Sequence, residues 1–287
     1  VDRGRRGAGG LGAGAAAVTA AVAEAGRRED LLPPGHDLRS GPPYWVGSLR
    51  AMLRYDWGGM RQWVGMMVVI QAMMGAGMVL MYGFFYPQIT VARALYIATG
   101  APTLALIPLG FVMVPNLVMQ EKLRGTFDYV WSLPVPRSAH AVSTFSLFTV
   151  LALPGTVLAL LVATWRYGIH LSLSPLLIPA VLLCALMAVT VGYALALAIA
   201  NPLVTNVIVN ALIFVVLLFS PIVYPASQLP GWLYDVHRVL PFESMAVVMR
   251  AGLTTGLATD VGLSFLVLGA WTVAGCAVTA WVVGRRR

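Results

Sequence analysis

The amino-acid sequence predicts an all-α membrane protein. It comprises six transmembrane helices with an N-terminal interfacial helix, a cytoplasmic amphipathic helix between spans two and three, and short external re-entrant helices between spans five and six. Three observations predict this class. Of 287 residues, 59% are hydrophobic and only 10% charged, and the mean hydropathy is +0.81, whereas soluble domains carry about 25% charge. Six apolar runs approach the ~20 residues that a helix needs to cross a bilayer. Basic residues crowd alternate loops, as orientation in a membrane requires. The formal net charge of +8 reads as that positional bias, not as a nucleic-acid surface.

The chain divides into a tail (1–43), an interfacial segment (44–62) and a six-span domain (63–287). The tail is rich in Gly, Ala, Arg and Pro. Arg5-Arg6, the following Ala/Gly run and Ala21-Val22-Ala23 have the outline of an export signal. The run is poor in Leu, Ile and Phe, so its hydrophobic drive is small and a disordered cytoplasmic tail is expected. In Tyr44–Gln62, Trp45, Leu49, Met52, Leu53, Trp57 and Met60 follow helical spacing, and Arg50, Arg54 and Arg61 take a polar side. That pattern suits a helix in the inner headgroup layer, with Trp as anchor and Arg facing anionic lipid.

Spans are expected at Trp63–Phe85, Thr99–Val118, Ser143–Thr164, Leu176–Ala200, Leu203–Tyr224 and Val261–Val283. Asn201-Pro202 marks a tight turn, and Pro108, Pro115, Pro154 and Pro179 lie in or near spans, where prolines are tolerated. Nine basic residues lie in the tail and interfacial helix. Lys122, Arg124 and Arg137 lie in the second-to-third loop, and Arg285, Arg286 and Arg287 at the end. Only Arg93, Arg166, Arg238 and Arg250 fall on the other side. Both termini and the Glu121 loop are therefore expected in the cytoplasm. Pro225–Asp260 is then external. Pro230 can open one short helix, and Pro241 another with Phe242, Met245, Val248, Met249 and Leu253 on one side. Both are too short and too charged to cross, and half-inserted helices capping the bundle fit best.

The longest charged interval between spans is Glu121–Arg137, EKLRGTFDYVWSLPVPR. At helical spacing, Leu123, Phe127, Val130 and Trp131 form one face and Glu121, Arg124 and Asp128 another. Gly125 beside the ionic face leaves room for another backbone, and Pro134 and Pro136 stop the helix. A polar face offered to the aqueous side points to a soluble partner; a solvated, helix-stabilising charge run is the plainer reading.

Chemistry is conspicuous by what is missing. No acidic residue falls inside any expected span, which argues against a proton- or sodium-coupled carrier and against a diphosphate-binding prenyltransferase. No nucleophile with a neighbouring base marks a protease. Cys184 and Cys276 lie in apolar runs without metal-ligand spacing. The single lysine, Lys122, follows Glu121 rather than a glycine-rich loop, so the chain has no phosphate-cradling loop. Uphill work would need energy from a partner. Met66, Met67, Met73, Met74, Met78 and Met81 followed by Tyr82, Phe84 and Phe85 suit either a pocket for varied greasy molecules or lipid contact and helix packing. Asn201, Asn206 and Asn210 recur around the fifth span and are expected to pair across helices or line a path.

Glu121-x-x-x-Gly125-Thr126-x-Asp128 with Leu133-Pro134-Val135-Pro136-Arg137 resembles the cytoplasmic-loop motif of type-2 ATP-binding-cassette (ABC) exporter permeases of the drug and antibiotic efflux type. Ser220-Pro221, Pro225, Leu229-Pro230-Gly231-Trp232-Leu233, Leu240-Pro241-Phe242 and Arg250 resemble that family's fifth span and sequel, over roughly residues 44–287. Phe242 departs from the pattern, where many members carry a polar residue nearby. The resemblance implies a bacterial inner-membrane permease and no enzyme. It implies no cofactor in this chain, with ATP and Mg bound by a cytoplasmic ABC ATPase present in two copies, and a second, identical or different, permease chain. It implies that Glu121, Arg124, Gly125, Thr126 and Asp128 form the coupling helix that the ATPase grips. Met74, Met78, Tyr82, Asn206 and Asn210 are the candidate cargo path. Cargo would be a drug or another hydrophobic or amphipathic compound; export of a lipid-linked glycan or lipid, or a non-transporting membrane anchor for a cytoplasmic ATPase, are the alternatives.

Overall fold

The computed structural model describes residues 41–85, 90–169, 171–225 and 228–285, with the Trp131 side chain left aside. The expected tail lies almost wholly outside the described residues, as do His170, Arg286 and Arg287. The chain divides into two units, Val1–Trp45 and Val46–Arg287. The first is described only over residues 41–45, where Trp45 N–H donates to Gly41 O at 3.1 Å.

Ten α-helices are described: α1 Pro42–Phe85, α2 Val91–Pro108, α3 Val114–Arg124, α4 Thr126–Ser132, α5 Arg137–Tyr167, α6 Leu177–Ala198, α7 Pro202–Phe219, α8 Gly231–Val239, α9 Pro241–Leu253 and α10 Val261–Arg285. A π-helical turn, Leu109–Met113, joins α2 to α3. Six stretches are long and apolar enough to cross a membrane: α1, α2 through α3, α5, α6, α7 and α10. They match the six runs read from the sequence. Their ends differ: the second stretch begins at Val91 and the third at Arg137, ahead of the expected Thr99 and Ser143, and the fifth ends at Phe219, short of Tyr224. The segment read as an interfacial helix at 44–62 runs without a break into the first span, because no Gly-Pro or turn signal separates Gln62 from Trp63.

The centre of the second unit is α6, whose Cys184, Met187, Ala188, Val189 and Tyr193 are buried. It packs against α10, the π turn, α3, α5 and α9. Tyr193 meets Phe145 of α5 edge-on, with ring centroids 5.4 Å apart. Small residues set the closest approaches. A Cβ at Gly75 of α1 would stand 2.5 Å from Ala159 Cβ, and one at Gly155 of α5 would stand 2.5 Å from Gln71 Cβ. Without lipid-phase hydrophobic drive, such notches let helix backbones gain dispersion contacts. Val79, Ala98, Ala101, Ala105, Ala159 and Ala163 continue this as a second, alanine-rich core.

The π turn has a local cause. Pro115 offers no N–H to the carbonyls behind it, and the Gly110 carbonyl lies instead where a Gly192 Cβ would be, 2.0 Å from that ideal position. Ridge and groove are here backbone on backbone.

At the end of the bundle remote from α4, α9 is a core element despite its charges. Phe242, Met245, Val248, Met249 and Leu253, the face expected from the sequence, are all buried, and Phe242 packs on Phe111 at 5.2 Å. Arg250 is buried too. Its guanidinium lies over Tyr96 at 4.4 Å and donates to Ile222 O, so a cation–π contact and a carbonyl replace water. Burial holds its pKa down, to about 10. The Trp271 indole donates to Val239 O at 2.9 Å, fastening α8 to α10.

Candidate functional site

The interval read as one amphipathic helix is two. α3 ends at Arg124, Gly125 adopts φ 72° and ψ 0°, and α4 begins at Thr126. The left-handed conformation is what Gly125 is for. The close backbone approach expected there is absent: a Cβ on Gly125 would meet nothing within 4 Å. The break also undoes the expected faces. Arg124 and Asp128 are exposed as expected, Thr126 is half-buried, and Phe127 and Val130 are buried. Leu123, placed on the greasy face, is exposed instead. Glu121, placed on the ionic face, is half-buried.

Each flank of the turn is tied to the bundle by a cation. Lys122 Nζ donates to Ala196 O at 2.5 Å and Ile199 O at 3.1 Å. These carbonyls close the last turn of α6, where positive charge is favoured. Arg137 Nη1 donates to Val283 O at 2.9 Å, joining the start of α5 to the end of α10. The turn and α4 are therefore held between two fixed points, with Phe127 and Val130 seated in apolar surroundings.

Behind the turn lies a cavity of ≈ 530 Å³. Its apolar wall is Met60, Leu117, Leu147 and Phe148; Asp56 and Glu121 line it, with Arg54 and Arg124 also on its lining. The Asp56 carboxylate accepts from Ser143 Oγ at 2.5 Å, and it lies in electrostatic range of Glu121 and of buried His140. Sequence reading missed Asp56, Ser143 and His140 as a group. The signal was faint: Asp56 is the only acid between the tail and Glu121, and it stands on the buried rather than the arginine side of its helix. Among the described residues no three His, Cys, Asp or Glu side chains converge as a metal site.

The five candidate cargo-path residues have different surroundings. Tyr82 lines a separate space of ≈ 320 Å³ with Arg93, Tyr96, Tyr224 and Gln228, at the opposite end. Met78 packs against the main core, and Met74 is half-buried. Asn206 and Asn210 form a polar ladder: Asn210 Nδ2 donates to Asn206 O and Oδ1 at 2.8 and 2.7 Å, and Asn206 Nδ2 to Asn116 Oδ1 at 3.3 Å. That ladder ties α7 to α3. Of the three asparagines expected to pair across helices or line a path, Asn206 alone bonds across helices, to Asn116, which sequence spacing did not single out; Asn210 bonds within α7, and Asn201 caps that helix by accepting from Leu203 N–H at 2.9 Å. Gln71 is a further buried polar group, donating to Leu151 O at 3.1 Å across the α1–α5 notch.

A search of curated proteins returned no match. Six apolar helices, a short helix slung from a left-handed glycine between the second and third, and a pair of short helices between the fifth and sixth lie within or beside one matched region. The family described as ABC-2 type transporter matches residues 47–254, more than half of the sequence, and the chain belongs to that family of ABC transporter membrane components.

Proposed function

We propose that this chain is the permease subunit of an ABC exporter of the drug-efflux type, worked from the cytoplasm by a separate ATPase that binds ATP and Mg. The observation that carries this reading is the anchored turn. Arg124 and Asp128 stand exposed on either side of Gly125, while Lys122, Arg137, Phe127 and Val130 hold the turn to the bundle. A force applied to such a peg reaches α3, α5, α6 and α10 directly. A loosely solvated loop would absorb it.

Arg124, Gly125, Thr126 and Asp128 are the ATPase contact. Glu121 serves from behind, as part of the cavity wall. Both termini lie with this turn in the cytoplasm, and α1 lies partly in the inner headgroup layer, with Arg50, Arg54 and Arg61 exposed. A second permease chain completes the pore, and two ATPase copies drive the pair. Support for it is that α1 and α7 leave large apolar side chains uncovered, among them Met66, Val69, Met73, Val207, Phe214 and Leu218. α8 and α9 cap the external mouth, and hydrophobic or amphipathic compounds are the cargo.

The test is reconstitution of the full chain with an ABC ATPase. The wild type should retain the ATPase in affinity capture and stimulate its hydrolysis. Arg124→Glu with Asp128→Lys reverses both exposed charges and should reduce stimulation about tenfold or more, the scale of one to two charge-assisted contacts. Elution of the variant as wild type in size exclusion would confirm that the fold is intact. Full stimulation by the double variant would overturn the contact assignment. Failure of the wild type to retain any ATPase would overturn the coupled-exporter reading.

A further inference from the structure

We infer that the cavity between α1, α3 and α5 binds amphipathic organic cations, with the carboxylates of Asp56 and Glu121 receiving the positive centre and the Met60, Leu117, Leu147 and Phe148 wall receiving the apolar body. The inference deepens the transport reading and rests on it, since it names a cargo class and a place where that cargo is held.

Size, charge and lining each point the same way. The volume of ≈ 530 Å³ falls within the roughly 300–1,000 Å³ of small-molecule sites. Two carboxylates drawn out of water are costly unless a cation joins them. Asp56 spends Oδ2 on Ser143, and Glu121 has no hydrogen bond or ion pair among the described residues. The lining arginines, Arg54 and Arg124, are exposed, and among the described residues no ion pair joins them to these acids. His140 has a buried Nδ1 without a hydrogen-bond partner, so the region carries more polar capacity than its own contacts satisfy.

The chemistry of the ligand follows. A metal ion would need more ligands than converge here. An anion would meet the two half-buried carboxylates, and the arginines on the lining, Arg54 and Arg124, are exposed rather than drawn in beside them. A neutral apolar molecule would leave both carboxylates uncompensated. An ammonium or phosphonium centre carried on an apolar body satisfies both walls, with the aromatic side chains of Phe148 and Tyr55 also on the lining. The cavity adjoins Thr126 and Arg124, so an occupant would rest directly behind the turn that the ATPase is proposed to grip.

Equilibrium binding to the purified full chain in detergent, without any ATPase, tests the inference apart from the coupling assignment. The probes are tetraphenylphosphonium and tetraphenylborate, which share a shape and differ in sign. The wild type should bind the phosphonium at least about tenfold more tightly, the scale of one charge-assisted contact. Asp56→Asn and Glu121→Gln should each weaken phosphonium binding about tenfold, and together should erase the preference between the two ions. A merely structural role for the acids would lower both affinities alike. Gly59→Trp keeps both carboxylates and obstructs the lining at a position where a Cβ meets nothing within 4 Å; it should weaken the phosphonium as well, and it decides the matter if the amide variants do not fold. Equal binding of both ions by the wild type, a preference surviving the double amide substitution, or unchanged binding by Gly59→Trp would each overturn the inference.

Discussion

The contact between Gly192 and the π turn gives the sharpest quantitative expectation. An ideal Cβ at Gly192 stands 2.0 Å from Gly110 O and 3.0 Å from Gly110 C, and real Cβ atoms essentially never come under 3.0 Å. Gly192→Ala must therefore part α6 from the π turn by about 1 Å. Neither side can yield by a rotamer change, because the obstructing atom is a backbone carbonyl. The reverse substitution meets the same obstacle: a Cβ at Gly110 would stand 2.5 Å from Ala188 C and 2.7 Å from Ala188 O. Overpacking costs typically 1–3 kcal/mol, and the rigid partner puts Gly192→Ala near the upper end, at about 3 kcal/mol. At roughly 2–4 °C per kcal/mol for a chain of this size, the melting midpoint should fall by on the order of 10 °C. The assay is thermal unfolding of the purified chain in detergent, followed by size exclusion. Gly77→Ala in α1 and Gly269→Ala in α10 are the controls, since a Cβ at either meets nothing within 4 Å. Should Gly192→Ala melt alongside those controls, the backbone-on-backbone contact is not there, and the placement of α3 derived from it fails.

Two further expectations concern the ends of the bundle. Lys122→Met keeps the stem but removes both donors to the last turn of α6; loss of charge-assisted bonds to Ala196 O and Ile199 O should cost about 2 kcal/mol. It should also speed amide exchange at the α6–α7 turn, and unchanged exchange there would refute the anchoring role. Burial holds the His237 pKa below its ordinary 6.5, only partly offset by the Phe219 backbone. A depressed folded pKa means stability that is present above 6.5 and lost as pH falls from there through the folded value. Exchange in α8, corrected for intrinsic rates, should therefore quicken between about pH 7.5 and pH 5.5, and His237→Gln should flatten that response. Glu243 works in the opposite sense. Burial raises its pKa against the pull of Arg250 and Arg238, so its contribution grows as pH falls, and the comparison with His237→Gln isolates the histidine. An α8 whose response survives that substitution would refute the assignment.

Much of the architecture is legible in the sequence because length and hydropathy are strong signals in a membrane protein. The six runs and the buried face of α9 needed only counting and a period of 3.6. Boundaries were less legible. The change from arginine-bearing to mostly apolar residues near Gln62 alters side chains and not backbone preference, so the helix has no reason to break there. Gly125 carried its own signal: a glycine directly after a turn holding Lys122 and Arg124 is a C-terminal cap pattern. Projecting one apolar face across it, from Leu123 to Trp131, hid that signal. The pairing of Asp56 with Ser143, and of Asn206 with Asn116, spans about 90 residues. No local pattern encodes such a meeting, because it depends on how far each helix is rotated when it arrives.

That rotation has an identifiable source. A π turn inserts one residue into the α-helical ladder, and one residue is about 100° of helix rotation. Every side chain of α3 is therefore turned by about that angle relative to a straight continuation of α2. Asn116 faces Asn206 of α7, Leu117 and Glu121 face the cavity, and Lys122 reaches the end of α6. Without the insertion, the only lysine and the only acid of α3 would point elsewhere, and the turn at Gly125 would lose its hold on α6. Pro115 frees the Gly110 carbonyl, and Gly192 makes room for it. Three residues with no chemistry of their own thus decide which way the charged end of α3 faces. The proposed coupling through the Gly125 turn requires α3 to be both firmly seated and correctly rotated, and the π turn supplies the two together.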